Sequence, residues 1–162
     1  KEEKILAKVN KNVVEKKDAN KIEDLNYSST DENGNIYEIF SETGIVDKED
    51  INILYLKKVK AIIKIKNSGV INLYSDFAKY NKSNLNTHFY ENVKLKFKDH
   101  NLTSGNVYLN YIKKKIKISD NINYYDKDNK MTADVIEYDL LTKTSKIYML
   151  DQNNKIKGLV KN

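Results

Sequence analysis

The sequence predicts an all-β protein that is built from repeated pairs of strands. Segments of similar sequence begin at Ser75, Ser104 and Ala133, and each begins 29 residues after the one before it. A second landmark keeps the same step, because the pattern at Asn92 recurs 29 residues later at Asn121. Two landmarks that share one period indicate a stacked repeat architecture.

Each repeat contains two runs in which apolar and polar residues alternate, which is the pattern of a half-buried strand. In the run from Val59 to Lys66, lysines alternate with apolar side chains. A turn at Asn67-Ser68-Gly69 follows, in which Gly69 is expected to adopt a positive φ, and Val70 begins the return strand. The alternation continues in later repeats, so one face of each strand pair is predicted to be solvated and the other dry.

The first 21 residues are predicted to form a linker or juxtamembrane segment, and residues 22–162 the β domain. Ile5, Val9 and Val13 recur every four residues among many charged side chains, as on one stripe of a helix. So thin a stripe buries little surface, which favours a solvated, partly helical linker. No apolar run is long enough to span a bilayer. Since Lys1 is not a natural start residue, we expect that an upstream anchor or signal precedes it.

No catalytic constellation is visible in the sequence. His88 and His100 lie twelve residues apart without the spacing of a zinc motif, and the chain has no cysteine. Asp76, Glu91 and Asp134 are expected at strand ends and turns, where carboxylates accept hydrogen bonds from the local backbone. We therefore expect a protein that is not an enzyme and holds no metal or cofactor.

The net charge of +6 does not by itself indicate a nucleic-acid ligand. The lysines alternate along strands and do not form a clustered basic stripe. Twelve tyrosines could stack on bases. However, Tyr80, Tyr124 and Tyr138 fall in the apolar register of the repeat, which favours interior positions. We expect no nucleic-acid partner.

Several segments resemble a known family. The run Gly69–Asn81 has the form apolar-x-Leu-x-Ser-Asp-x-Ala-x-Tyr-Asn, and Phe89–Val93 and Leu102–Gly105 follow it. Together they resemble the lipopolysaccharide-export periplasmic family, whose members include LptC, LptA and the N-terminal OstA-like domain of LptD. The segment Ile36–Glu42, which precedes the first long strand, makes the chain most similar to LptC. The resemblance covers residues 36–149.

The resemblance implies an open antiparallel β-jellyroll of two facing sheets whose apolar interior holds the acyl chains of lipopolysaccharide. A LptC-like member is anchored by one N-terminal transmembrane helix, here upstream of Lys1, at the periplasmic face of the Gram-negative inner membrane. It takes lipopolysaccharide from the inner-membrane ABC transporter and passes it to LptA, as a step of outer-membrane biogenesis. Two alternatives remain: a soluble LptA-like periplasmic bridge, and a carbohydrate-binding or adhesin-like β-domain with a solid interior and outward-facing tyrosines.

Strand phase and the resemblance together suggest which residues carry these roles. For any single interior candidate, core packing explains the residue at least as well as lipid contact. The interior candidates are Val59, Ala61, Ile63, Ile71, Leu73, Ala78, Tyr80, Val93, Leu95, Phe97, Val107, Leu109, Ile116, Ile118, Ile122, Tyr124, Ile136 and Tyr138. The expected partner edges are Ile36, Ile39 and Phe40 towards the transporter, and Ile147 and Met149 towards the LptA-like protein.

Overall fold

The computed structural model describes residues 8–9, 20–149 and 157–160, the first and last of these ranges as backbone alone. Within these ranges, eleven strands form one sheet. No helix long and apolar enough to cross a bilayer lies within the described ranges. The strands are β1 (Lys8–Val9), β2 (Lys21–Thr30), β3 (Ile36–Val46), β4 (Ile53–Ile65), β5 (Gly69–Asn81), β6 (Thr87–Phe97), β7 (His100–Asn110), β8 (Lys115–Tyr125), β9 (Asn129–Asp139), β10 (Thr144–Tyr148) and β11 (Lys157–Val160).

The sheet is an antiparallel meander. Its strand order runs from β1 to β10 without a crossover, and β11 pairs with β9. The hairpins β4–β5, β6–β7 and β8–β9 each add two strands to the same ladder. The predicted all-β fold of repeated strand pairs is confirmed.

A crease crosses the sheet halfway along the strands. On β2, β4, β6 and β8, the crease residues have left-handed φ angles between 50° and 69°. The register also shifts at this point between neighbouring strands from β5 to β9. These shifts are β-bulges, which bend a strand and increase its twist. The crease residues are Asp24, Glu42, Lys58, Asp76, Glu91, Asn92, Gly105, Asp120, Asn121 and Asp134.

The crease divides the sheet into two layers that face each other. Layer A ends at the turns 31–35, 66–68, 98–99 and 126–128. Layer B ends at the turns 47–52, 82–86, 111–114 and 140–143. Aromatic pairs join the layers, since the rings of Tyr27 and Tyr80 lie 5.1 Å apart and those of Tyr37 and Tyr111 lie 4.9 Å apart. The fold is the expected open β-jellyroll, and its two facing sheets are halves of one continuous sheet.

The repeated landmarks of the sequence lie at this crease. On the inner side of β3, β5, β7 and β9 a small residue lies there, and it pairs with a larger apolar residue on the preceding strand. The hydroxyl of Ser75 donates to the Phe77 carbonyl at 2.8 Å, and that of Ser104 donates to the Asn106 carbonyl at 3.2 Å. Both carbonyls follow the interruption of the ladder. The small residues are Ser41, Ser75, Ser104 and Ala133.

The expected placement of three carboxylates was wrong. Asp76, Glu91 and Asp134 lie in the middle of strands and not at strand ends, because the strands continue through the crease. One Asp76 oxygen accepts a hydrogen bond from the Asn92 side-chain amide at 2.6 Å. This bond joins two neighbouring strands where the regular ladder is interrupted.

The turn between β4 and β5 also differs from the prediction. Asn67, and not Gly69, has the positive φ, of 58°. Asparagine tolerates this conformation because its short polar side chain bonds locally. Gly69 begins β5 instead, and a Cβ there would lie 2.9 Å from Cε2 of Phe97. The glycine is therefore needed for the close approach of the phenylalanine ring.

The N-terminal segment is only partly described. Residues 8–9 pair with Tyr27 and Ser28 of β2 as a short strand, so the expectation of helix does not hold for these two residues. The rest of the predicted linker up to residue 19 lies outside the described residues. β2 itself begins at Lys21. The boundary at residue 22 stays a prediction.

Candidate binding interior and sheet edges

The space between the two layers is filled by one hydrophobic cluster. Three more interior candidates, Leu95, Phe97 and Tyr138, are half-buried against this cluster. The structure thus brings the predicted set together on the inner faces of both layers. The candidates that belong to the buried cluster itself are Val59, Ala61, Ile63, Ile71, Leu73, Ala78, Tyr80, Val93, Val107, Leu109, Ile116, Ile118, Ile122 and Ile136.

Tyr124 is the one candidate that departs from this set. Its backbone register with Leu102 is inward, but the side chain is half-buried and its hydroxyl donates to Asp126 at 2.7 Å in the turn after β8. Burial, followed by the hydrogen bond to Asp126, raises the pKa of Tyr124 to about 12. The hydrogen bond from Tyr124 and those from the local backbone lower the pKa of Asp126 to about 2. Tyr124 therefore fixes a turn of layer A.

Sequence reasoning missed much of the layer B side of the interior. Leu54, Leu56 and Phe89 are at most 1% exposed and belong to the cluster. The signal was present, because Leu54 and Leu56 flank the exposed Tyr55 in strict alternation. The predicted interior set uses this alternation only in the second halves of β4 and β6, beyond the crease.

The interior is closed in this structure. A cavity of about 20 Å³ remains between Tyr27, Tyr37, Tyr80 and Tyr111. Such a volume holds about one water molecule. The buried hydroxyl of Ser29, which lines the cavity, has no hydrogen-bond partner. An acyl chain would therefore fit between the layers only if they moved apart.

A buried polar group, which we call the latch, joins the two layers opposite the crease. It consists of Asp31, Asn35 and Tyr37 from the β2–β3 corner of layer A and Lys114 from the β7–β8 turn of layer B. The Lys114 ammonium lies 3.7 Å from an Asp31 oxygen, and their side chains are 4% and 0% exposed. It also lies 3.8 Å from the centroid of the Tyr111 ring. The latch is thus an ion pair between the layers, with an aromatic ring beside the cation.

Asp31 is held by its own turn before it meets Lys114. One carboxylate oxygen accepts the backbone N–H groups of Asn33 and Asn35, at 2.9 and 3.0 Å. The other accepts the Asn35 side-chain amide at 3.0 Å and the Tyr37 hydroxyl at 2.8 Å. Burial opposes the charge, but the hydrogen bonds from Tyr37 and Asn35 and the charge of Lys114 outweigh it and lower the pKa of Asp31. The carboxylate is therefore ionised at neutral pH.

The expected N-terminal partner edge was wrong. β3 pairs with β2 on one side and with β4 on the other, so Ile36, Ile39 and Phe40 do not lie at an edge of the sheet. Ile39 belongs to the buried cluster. The edge is β2, which within the described residues is paired on its outer side only at Tyr27 and Ser28.

On the C-terminal side of layer B, β10 is the outermost strand of the described ranges. β10 pairs with β9 on one side, and no further strand within the described ranges covers its other side. Ile147 lies on β10, and Met149 follows that strand directly. Both are half-buried against the cluster, so this edge is attached to the interior.

The outer face of layer B carries aromatic side chains beside a polar pocket. His88 stacks on Tyr108 with ring centroids 4.1 Å apart, and its Nε2 lies 2.7 Å from the Asn106 side-chain oxygen. A pocket of about 350 Å³ beside this pair is lined mostly by amide and basic groups. His100 stacks on Tyr124 on the other layer. Each histidine therefore contacts a tyrosine on a neighbouring strand.

Comparisons with known proteins agree with this architecture. A family described as lipopolysaccharide-assembly, LptC-related, matches residues 2–150. The fold is similar to the crystal structure of LptH from Pseudomonas aeruginosa, the LptA-homologous periplasmic component of its lipopolysaccharide transport device. The TM-score is 0.56 at 8% sequence identity, and the similarity covers 78% of this chain and 95% of LptH. No curated protein matches the chain significantly in sequence.

Proposed function

The chain belongs to the LptC-related family of lipopolysaccharide-assembly proteins, and from this premise we propose that it carries lipopolysaccharide with the acyl chains held between layers A and B. In this proposal it is not an enzyme. It acts at the periplasmic face of the inner membrane, receives the lipid from an ABC transporter and passes it to an LptA-like protein. The observation that carries the proposal is the continuous apolar lining between two layers of one open sheet.

The physical need for such a carrier is the cost of exposing acyl chains to water. Each buried methylene is worth about 0.8 kcal/mol, so a chain of about twelve carbons costs on the order of 10 kcal/mol to expose. An apolar trough removes this cost, and transfer between two similar troughs is nearly balanced in free energy. The direction of transport would then come from ATP hydrolysis by the transporter and not from this chain.

The two edges of the sheet support a place between two partners. β2 and β10 present backbone N–H and C=O groups that can pair with a strand of another protein. Pairing at β2 would continue both layers towards the transporter, and pairing at β10 would continue layer B towards the LptA-like protein. Lys143 and Lys146, at or beside β10, are lysines of the kind that protect an unpaired edge in the isolated protein.

Photocrosslinking along one strand tests the proposal directly. A benzophenone side chain is placed at Leu95 or Phe97, which point inward on β6, and as matched controls at Lys94 or Lys96, which point outward on the same strand. We expect lipopolysaccharide to label the two inward positions and to leave the two outward ones unlabelled. Equal labelling at all four positions, or none at any, would contradict binding between the layers.

A carbohydrate-binding role is the second candidate, and two observations favour it. The interior is packed, and Tyr55 and Tyr108 of layer B are 40% and 41% exposed, the latter beside the polar pocket. Titration with lipid-free polysaccharide and with lipid A separates the two functions. Binding of the polysaccharide alone, lost in Tyr108→Ala, would favour the carbohydrate role, whereas binding of lipid A alone favours the carrier.

A further inference from the structure

The most exposed large apolar side chains of the described part of the chain lie towards the turn end of layer B. Ile45, Ile51, Ile112 and Leu141 are 53%, 72%, 64% and 54% exposed, and no other large apolar residue in that part is more than half exposed. Ile51, Ile112 and Leu141 lie in turns at which layer B ends, and Ile45 lies in β3, two residues before such a turn. Apolar side chains exposed singly are ordinary, whereas a row of them on one rim indicates a contact surface.

In two turns of layer B, a buried residue is followed directly by an exposed aliphatic one. Tyr111 and Leu140 are buried, and the next residues, Ile112 and Leu141, point into solvent. These two pairs lie 29 residues apart and so occupy the same position of the repeat. Turns usually carry glycine, asparagine, aspartate or serine at such places, so the aliphatic tips do not serve the turn itself.

Charge separates three of the four turns of this rim from the turns of layer A. The turns 82–86, 111–114 and 140–143 contain no aspartate or glutamate, and they supply Lys82, Lys113 and Lys143 besides the buried Lys114. The turns of layer A contain five acidic residues, three lysines and no large apolar residue. The fourth turn of layer B, 47–52, contains Asp47, Glu49 and Asp50 with one lysine. Within the described residues, the combination of exposed aliphatic side chains and excess lysine is therefore confined to the turns 111–114 and 140–143.

We propose that this rim, formed by Lys82, Ile112, Lys113, Leu141 and Lys143, lies against an anionic bilayer surface. Ile112 and Leu141 would enter the boundary between headgroups and acyl chains, and the lysines would lie near lipid phosphates. Aliphatic tips favour insertion and lysines favour anionic lipids, so the two features together specify a membrane rather than a soluble polyanion. The same rim lies opposite the crease, and Ile112 and the latch residue Lys114 share one turn. Contact with the bilayer would therefore place the side on which the layers can separate at the membrane surface.

Vesicle binding of the whole 162-residue chain tests this surface. The variant Ile112→Ser/Leu141→Ser is compared with Val70→Ser/Tyr74→Ser, which removes apolar side chains that are 41% and 47% exposed on layer A. Flotation with vesicles of phosphatidylethanolamine and phosphatidylglycerol is expected to fall about tenfold in the rim variant and less than about twofold in the control. Equal losses in both variants, or no binding by the unchanged chain, would overturn the proposal.

Charge and position are tested in the same assay. Lys82→Gln/Lys113→Gln should weaken binding to anionic vesicles, as added salt does by screening the same charges. The control Lys94→Gln/Lys96→Gln, which removes two lysines of layer A, should leave this binding unchanged. Because the chain has no cysteine, a polarity-sensitive dye can be attached at Ile112→Cys or, as control, at Val70→Cys. A blue shift at position 112 alone supports insertion; a shift at both positions or at neither refutes it. Crosslinking at Leu95 and Phe97 requires no vesicle, so failure of lipid carriage and failure of this contact are distinguishable.

Discussion

The substitution Asp31→Asn removes the charge of the latch, together with an oxygen that accepts from the Asn35 side-chain amide and the Tyr37 hydroxyl. An asparagine at position 31 keeps an oxygen that can accept the backbone N–H groups of Asn33 and Asn35, which Asp31 accepts at 2.9 and 3.0 Å. It removes the negative charge that faces Lys114 at 3.7 Å. Since Lys114 has a side chain only 4% exposed, its ammonium would remain buried without its close anionic partner.

The expected loss of stability follows from that burial. Removing one partner of a buried ion pair costs about 3–5 kcal/mol, because the remaining charge is uncompensated. The Tyr111 ring at 3.8 Å and Glu32 at 4.0 Å still attract Lys114, so we expect the lower end, about 3 kcal/mol. This is a large share of the roughly 5–15 kcal/mol by which a domain is stable. Unfolding by urea, followed by circular dichroism, measures it.

Two further variants decide whether the latch is the cause. Glu32→Gln changes a carboxylate of the same turn that is 53% exposed and 4.0 Å from Lys114, and it should cost less than about 0.5 kcal/mol. Asp31→Asn/Lys114→Met removes both charges and should be at least about 1 kcal/mol more stable than Asp31→Asn alone. If Asp31→Asn cost no more than Glu32→Gln, or if Lys114→Met gave no recovery, the argument for a buried latch would be refuted.

Three other predictions concern the crease and pH. A Cβ at Gly105 would collide with a carboxylate oxygen of Asp120. Gly105→Ala should therefore lower the free energy of unfolding, measured with urea, by about 1–3 kcal/mol. Adding Asp120→Gly should recover part of this loss, and no recovery would show that the crowding is elsewhere. Ser75→Ala should lower the free energy of unfolding by about 1 kcal/mol, because the Ser75 hydroxyl donates to the Phe77 carbonyl. Ser41→Ala removes a buried hydroxyl without a hydrogen-bond partner, so it should be neutral or stabilising. The reverse order of the two effects would contradict the role of the serines. The pKa of Asp31 is lower in the folded protein than its unfolded value near 3.9, so ionised Asp31 stabilises the fold at pH values above about 3.9. This contribution is lost as the pH falls through the folded pKa. Urea midpoints of the unchanged chain should therefore fall more steeply than those of Asp31→Asn between about pH 5 and pH 2, and parallel curves would exclude Asp31 as the titrating group.

The alternation of side chains predicted much of the interior because a strand assigns every second residue to one face. Val93 and Leu95 point inward and Lys94 points outward, as their spacing required. The same rule explains why β2 was missed as the edge strand. Its inward residues Ile22 and Leu25 are three positions apart, because Asp24 lies at the crease with a positive φ of 50° and breaks the period of two.

The latch could not be predicted from the sequence pattern, for a different reason. Lys113, Lys114 and Lys115 have identical chemistry in the sequence, yet only Lys114 is buried. Which of the three points inward depends on the geometry of the turn and on the opposite layer. Asp31 likewise resembles any aspartate of a turn, and its partner lies 83 residues away in the sequence. A contact between two turns of facing layers leaves no periodic trace.

The closed interior sets an energetic condition on lipid carriage. An acyl chain of about twelve carbons gains on the order of 10 kcal/mol by leaving water, and its packing against the inner faces partly replaces the packing of the two layers on each other. The latch is different, because a hydrocarbon cannot replace the partners of Asp31 and Lys114. Opening the layers returns both charges to water, so it costs only the net stability of the ion pair, which is smaller than the ~3 kcal/mol of leaving Lys114 buried and unpaired. This contact lies opposite the crease. Bending at the crease would separate the layers while the strand pairing stays intact, since the bulges already interrupt the ladder there. The fold would thus open as a hinge, and the strength of the latch would set how often it does so.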